Sequence, residues 1–279
     1  MLAYAIKTHP FFADNIAVDL PECDITNLCS VEASVNEHNP EYIINCAAYT
    51  DVTKAEISLD TAMEVNAQGV KNIATIAKKY SSKVIHFSTD FVFKGDKEIE
   101  YHEQMKTNPV NNYGLSKQKG EEWLQDILPD ALIIRISWLY GPHGKNFVTS
   151  IASLLKEKPN LNIVADQYGK TTYTIDVAEA TQNLINIDAK GIYHFANEGV
   201  CSRYDFTILI YELLKSQNDF ICDIKPINAS DYPDKTPRPK WSILSCDKYT
   251  YSTQQKIRKW EDALKHFVID TVILLRHHC

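Results

Sequence analysis

Three residues of this chain have the chemistry to move a proton onto a carbonyl oxygen: Thr89, Tyr113 and Lys117. Tyr113 and Lys117 are four apart, so a helix would carry them on one face. A phenol titrates near ~10 when unperturbed, and a cation held beside it favours the phenolate and lowers that value. Thr89 closes an apolar run, Val84-Ile85-His86-Phe87, so its hydroxyl would stand at a strand end facing the same substrate oxygen. Such a set holds a carbonyl, protonates its oxygen as hydride reaches carbon, and leaves Lys117 for a cofactor ribose. Alone, Tyr-x-x-x-Lys is a weak signal, because most such pairs are ordinary helix-surface residues.

The elements that would position this set alternate. Residues 2–7 look like the end of an amphipathic helix stopped near Pro10, and Asn15-Ile16-Ala17-Val18 reads as a short buried strand ending at Asp19. Thr26 is a candidate cap for a helix from about residue 28 to His38. Tyr42 to Asn45 reads as the next strand, with the loop Ala47-Ala48-Tyr49-Thr50 after it. From Ile57 to Lys79 the apolar spacing predicts one long helix, then Val84 to Phe87 a strand, then a charged loop over 94–109. A helix carries Tyr113, Lys117, Glu121 and Leu124, and Leu132 to Ile136 is a strand again. Short apolar strands alternating with amphipathic helices are what a parallel sheet buried on both faces requires, so the expected fold is α/β and doubly wound.

Beyond Trp138 the character changes. Gly141-Pro142-His143-Gly144 is a turn, helices are expected over 146–156, 176–187 and about 203–216, and Ile192 to Phe195 reads as a strand. The expected division is a dinucleotide-binding domain over 1–140 and a smaller substrate domain over 141–279, partly interleaved with the sheet.

Bulk properties narrow the partners. The 279 residues carry 44% hydrophobic and 23% charged residues, an ordinary globular balance. A net charge of −7 without a basic run disfavours nucleic acid. Seven scattered cysteines, with no Cys-x-x-Cys pair or His cluster, predict reduced thiols in a cytoplasm and no structural zinc. The N-terminal apolar stretch is too short for a signal peptide, and 267–275, broken by Asp270, is too short to cross a bilayer.

Several segments occur in a telling order: Asn45-Cys46-Ala47-Ala48-Tyr49-Thr50, Val65-Asn66-Ala67-Gln68-Gly69, Ser88-Thr89-Asp90-Phe91-Val92-Phe93-Lys94-Gly95, Tyr113 to Lys117, and Asp166-Gln167-Tyr168-Gly169. Asp176-Val177-Ala178, Arg238-Pro239 with Ser242 and Leu244, and Trp260-x-x-Ala263-Leu264 follow. From about Asp19 to Leu264 the chain resembles the extended short-chain dehydrogenase/reductases, and within them the dTDP-4-dehydrorhamnose reductase family. That resemblance implies a Rossmann-like sheet and NAD(P)H-dependent reduction of the C4 keto group of a dTDP-4-keto-6-deoxy-L-sugar. It implies Thr89, Tyr113 and Lys117 as the catalytic trio, Asp24 and Ile25 at the adenine, and Ala47, Ala48 and Tyr49 along the dinucleotide groove. It places Asp90, Phe91, Trp138, Asn146, Gln167 and Arg238 where the family handles the sugar nucleotide. Trp138 offers an aromatic face and Arg238 a planar fork for phosphate; core packing and a surface salt bridge are the plain alternatives. Asp19 stands where an acid would take the ribose hydroxyls of NADH and repel the extra phosphate of NADPH. The family includes Mg2+-bridged homodimers, but no carboxylate cluster here is distinctive enough to assign a metal.

The chain departs from the family pattern at its start. The family opens with a buried strand and a Gly-rich phosphate turn, whereas here no Gly precedes Gly69. The first strand and that turn, about a dozen residues by the usual motif length, are expected to be missing through a misplaced start or a truncated gene copy. Without them, poor folding and little dinucleotide affinity are expected. Thr53 replaces an Asp, Phe91 a Tyr, and Lys170-Thr171-Thr172 a small residue, Pro and Thr. The lost hydroxyl at Phe91 would weaken sugar binding by about 0.5–1.5 kcal/mol. Two other readings compete: a non-catalytic regulatory subunit of the same fold, and a related epimerase or dehydratase. Intact Thr89, Tyr113 and Lys117 argue against the first, and the lack of an acidic neighbour at Asp90 against a dehydratase.

Overall fold

The computed structural model describes residues 1–215 and 221–269. At its centre is a parallel sheet of four strands: β1 (Tyr42–Asn45), β2 (Lys83–Thr89), β3 (Leu132–Ile136) and β4 (Gly191–His194), in that spatial order. Register is set by pairs such as Asn45 with His86, Thr89 with Ile136 and Arg135 with His194. Alternate residues of each strand point to opposite faces, and both faces are covered. On one face, Ile85, Phe87, Leu132 and Ile134 pack against α1 (Leu2–Thr8) and the helix Thr174–Asn186 through Leu2, Ile6, Val177 and Leu184. On the other, Val84 and Ile133 meet α2 (Leu28–His38), α3 (Gly69–Tyr80) and α4 (Asn112–Ile127) through Val35, Ile73, Ala77 and Leu124. These three layers are the expected doubly wound α/β arrangement.

A second core, from Tyr140 through Phe206 to Val268, lies in the latter half of the chain. Strand β4 nonetheless comes from that half and completes the sheet, so the two halves interleave. A small sheet there pairs Tyr168-Gly169 with both Trp241-Ser242 and Cys201-Ser202, bringing distant segments to the carboxyl ends of the strands.

Four local expectations are corrected. Residues 15–18 form no strand, and Ile16 and Val18 are exposed, because no strand among the described residues lies beside them to pair with. Asp19 therefore ends no strand; its carboxylate accepts from the Leu20 amide at 2.9 Å. The cap of α2 is Asn27, which accepts from the Cys29 and Ser30 amides, while the Thr26 hydroxyl donates to Asp24. The helix expected over 57–79 is divided: Ile57 lies outside it, and a wide turn at Glu64–Gln68 separates Leu59–Met63 from α3. A one-residue dilation of that kind re-aims side chains, and here it turns Asn66 inward. The helix expected to about 216 is described as Arg203–Lys215; residue 216, the apolar stretch after Ile269 and Cys279 lie outside the described residues.

A buried ion pair joins helix to sheet. Arg135 on β3 donates to both carboxylate oxygens of Glu121 on α4, at 2.9 and 2.6 Å, and both side chains are almost inaccessible. Removing one partner of such a pair leaves an uncompensated buried charge. Arg135→Met is expected to lower the unfolding free energy by about 3–5 kcal/mol, read as a lower urea midpoint at constant slope. A loss below roughly 1 kcal/mol would show that this pair contributes no more than a surface one.

Candidate active site

The carboxyl end of β2 is where the candidate residues gather. After Thr89 the chain turns into a short helical segment, Asp90–Val92, with the Thr89 hydroxyl accepting from the Phe91 amide at 3.2 Å. Helix α4 begins opposite, capped by Asn111, whose side chain accepts from Gly114 N–H at 2.8 Å. Gly114 has to be glycine: an added Cβ would lie 2.2 Å from the Phe91 carbonyl oxygen. Gly120 meets the same constraint further along α4, where a Cβ would stand 2.2 Å from the Asn66 carbonyl oxygen. Both omissions let α4 lie close against the strand end.

This approach brings the Tyr113 phenol within reach of the Thr89 hydroxyl and packs its ring edge-on to Phe91 at 5.8 Å. Burial pushes the Tyr113 hydroxyl up to about 12, opposed by the Thr89 hydrogen bond and reinforced by Asp90. The lowering expected from a neighbouring cation is absent. Lys117 spends its amine elsewhere, donating to the Phe87 carbonyl oxygen at 2.6 Å and lying 3.2 Å from His86 Nε2. Burial also brings the Lys117 amine down to about 8, against the favourable charges of Glu121 and Cys46.

Asp90 completes the inner wall. It is 2% exposed, accepts from the Thr89 hydroxyl at 3.0 Å through Oδ1, and finds no hydrogen-bond partner for Oδ2 among the described residues. Burial raises its carboxyl to about 6, with Ser242, Thr89 and Arg203 holding it back. Arg203, which no sequence motif marks, stacks its guanidinium 3.6 Å from the centre of the Trp138 ring. Trp138 sits at φ 47° and lies on Gly169, where a Cβ would meet the indole at 2.7 Å. The Gln167 carbonyl accepts from the Arg203 amide at 3.3 Å, so Asp90, Trp138, Gln167 and Arg203 share one wall.

The other expected residues lie further out or are already engaged. Asn146 caps the helix Phe147–Glu157 in a capping box with Thr149, and its amide donates to Gly141 O at 2.8 Å. Arg238 pairs with Asp234 at 3.1 Å and reaches the Thr53 hydroxyl at 3.3 Å. Hydrogen bonds, first from Thr236 and then from Arg238 and Thr53, hold Asp234 well below the usual carboxylate range. Asp24 accepts from both the amide and the hydroxyl of Thr26, and Ile25 packs against Gly69. Ala47, Ala48 and Tyr49 follow β1, and Asn66 fixes them by bonding both the N–H and C=O of Tyr49 and the Ser116 hydroxyl. Asn66 lies in the segment Val65 to Gly69 that the sequence already singles out, whereas nothing in the sequence marks His86 beyond its place in the run Val84 to Phe87.

The donor set fits the nicotinamide-ribose half of a dinucleotide. Tyr113 and Lys117 stand toward the end of β2, and Ala47 and Ala48, which follow β1, bring only small side chains. Among the described residues no Gly-rich phosphate turn accompanies them, and no group of three or more His, Cys, Asp or Glu could hold a metal. Likewise no described helix is long and apolar enough to cross a membrane.

A doubly wound parallel sheet with Thr89, Tyr113 and Lys117 at its carboxyl end defines an oxidoreductase of the short-chain dehydrogenase/reductase class. Within that class, the RmlD substrate binding domain family matches residues 7–273, and the chain belongs to it. A dTDP-4-dehydrorhamnose reductase of Aggregatibacter actinomycetemcomitans is 37% identical over 262 residues, covering 90% of this chain and 88% of that protein. A dTDP-4-keto-6-deoxy-D-glucose reductase of Streptomyces niveus is 34% identical over 250 residues, covering 89% and 86%. The crystal structure of the Bacillus anthracis dTDP-4-dehydrorhamnose reductase in complex with NADP superposes with a TM-score of 0.91 at 34% identity, covering 97% of this chain and 95% of that one.

The raised Asp90 carboxyl gives a pH signature. A carboxyl whose folded value lies above its unfolded ~3.9 contributes stability that is full below that value and lost as pH rises through about 6. Asp90→Asn cannot ionise and keeps an acceptor for Thr89. It is expected to be more stable than wild type by about 1–3 kcal/mol near pH 8, with the difference shrinking toward pH 4. Urea unfolding at the two pH values reads this, and a difference independent of pH would refute it.

Proposed function

We propose that this protein reduces the C4 keto group of dTDP-4-dehydro-L-rhamnose to dTDP-L-rhamnose, the step that completes this sugar nucleotide for cell-surface polysaccharide. The observation that carries the reading is the meeting of Thr89 and a protonated Tyr113 at the carboxyl end of β2. An acid that works in the reducing direction must hold its proton at neutral pH, and a phenol pushed up to about 12 does so. Reduced nicotinamide supplies the hydride when bound. Tyr113 gives its proton to the C4 oxygen while the Thr89 hydroxyl, which donates to Asp90 Oδ1 in the free site, turns its single proton to the same oxygen. Lys117 serves the cofactor ribose, and Ala47, Ala48 and Tyr49 border it; Asp24 and Ile25 serve the adenine. Trp138, backed by Arg203, offers its face to the sugar nucleotide beside Asp90, Phe91 and Gln167. Asn146 and Arg238 line the outer part of that side.

Residues 1–140 chiefly serve the dinucleotide and 141–279 the sugar, with Asp90, Phe91 and Trp138 reaching the sugar from the first part; the separate cluster from Tyr140 to Val268 supports this division. Free cysteines among the described residues and a net charge of −7 support a cytoplasmic enzyme of small molecules.

Reductase activity is measured as NADPH or NADH oxidation with dTDP-4-dehydro-L-rhamnose. Tyr113→Phe is expected to lower kcat by roughly 10²–10⁴-fold, as removal of a general acid does. Turnover unchanged by that substitution would sink the mechanism. Asp19, if it faces the ribose hydroxyls, opposes a 2′-phosphate. Asp19→Asn should then raise kcat/KM for NADPH several-fold, roughly the effect of one screened charge, and leave NADH unimproved. Equal effects on both coenzymes would remove Asp19 from the site.

A further inference from the structure

His86 is fully buried in β2 and has no place in the chemistry described so far, yet it contacts two residues that matter. Its Nε2 lies 3.2 Å from the Lys117 amine, and its Nδ1 lies 3.1 Å from Asn45 Nδ2. The orientation of the Asn45 amide is fixed independently, because its Oδ1 accepts from the Ala47 backbone N–H at 3.0 Å. The Asn45 group facing His86 is therefore NH2, which only donates. His86 Nδ1 must accept, so the proton of the neutral ring sits on Nε2 and points at Lys117. A doubly protonated ring would set two donors against each other at Asn45, and burial pushes the imidazole well below its usual range in any case.

An ammonium has three donors and no acceptor. It cannot face the Nε2–H of His86, whereas an uncharged amine accepts that proton and still donates to the Phe87 carbonyl oxygen. We propose that His86 is a positioning residue for Lys117: in the tautomer fixed by Asn45, it holds the lysine against β2 as an uncharged amine. The groups around the amine agree with this. Glu121, on the same helix, is committed bidentately to Arg135 of β3, Cys46 follows β1 as a thiol that burial pushes up to about 12, and Tyr113 stays protonated one turn earlier. Burial lowers the amine to about 8, so the His86 contact persists above that pH and breaks as Lys117 takes up a proton below it. These contacts alone define the arrangement of His86 and Lys117. Its bearing on catalysis rests on the reading of Lys117 as ribose ligand: the cation would form only on release from His86.

The test is NMR of the full chain with lysine labelled with 13C at Cε, the Lys117 signal being assigned by its loss in Lys117→Arg. In the wild type that signal is expected to titrate about two units below the ordinary lysine value of ~10.4. His86→Gln supplies a carbonyl acceptor for an ammonium and should move the titration up by about one unit or more. His86→Leu removes the N–H without supplying an acceptor and should move it less. Wild-type Lys117 titrating with the other lysines overturns the proposal without any variant, and so do equal shifts in the two variants or no shift in His86→Gln. None of these readouts needs substrate turnover, so failure of the reductase assay and failure here are separate results.

Discussion

The site depends on how near one helix can come to one strand end. Helix α4 reaches β2 because two of its residues, Gly114 and Gly120, have nothing where a Cβ would be. The first faces the Phe91 carbonyl and the second that of Asn66, each closer than any side-chain carbon tolerates. The buried Arg135–Glu121 pair then fixes the same face of the helix, one turn beyond Lys117, to β3. With the helix axis set by backbone contact and by charge, Tyr113 and Lys117 have little freedom in where they fall. A Cβ at either glycine would displace both by an ångström or more, a distance that matters for proton transfer.

Burial acts on the three ionisable groups of the site in the direction that suppresses charge. It keeps Tyr113 protonated, pulls Lys117 toward the uncharged amine and lifts the Asp90 carboxyl. The simple expectation of a cation beside a phenol assumes that the lysine is drawn to the tyrosine. In the structure the amine is drawn instead to a carbonyl of β2, a fixed dipole within 2.6 Å. The pocket therefore has charge available only where a ligand or proton compensates it.

Much of this was legible in the sequence because the strands are short, continuously apolar and regularly spaced. Tyr42–Asn45 and Leu132–Ile136 have the bounds read from pattern alone, and Thr89, Tyr113 and Lys117 fall at the expected strand end. What escaped depended on partners distant in the chain. Residues 15–18 have the composition of a strand, but a strand exists only where another lies beside it. The dilated turn at Glu64–Gln68 depends on Asn66 finding Tyr49 and Ser116, which spacing does not encode. Arg203 stands at the start of a helix with no motif to mark it, and the face it stacks on belongs to Trp138, 65 positions earlier in the sequence.

Away from the carboxyl end of β2, Thr53 is bonded to Asp234, and Arg238 bridges the two. These contacts tie a short helical turn near the start of the chain to the proline-rich segment near its end. They are polar, partly exposed and individually weak, unlike the buried pair between α4 and β3. The molecule is thus fastened unequally around its cleft. The wall that aligns reacting atoms is held by desolvated contacts that water and salt barely reach, and the rim is held by contacts that solvent readily replaces. A change of salt or solvent therefore loosens the Thr53, Asp234 and Arg238 contacts before it reaches the Arg135–Glu121 pair.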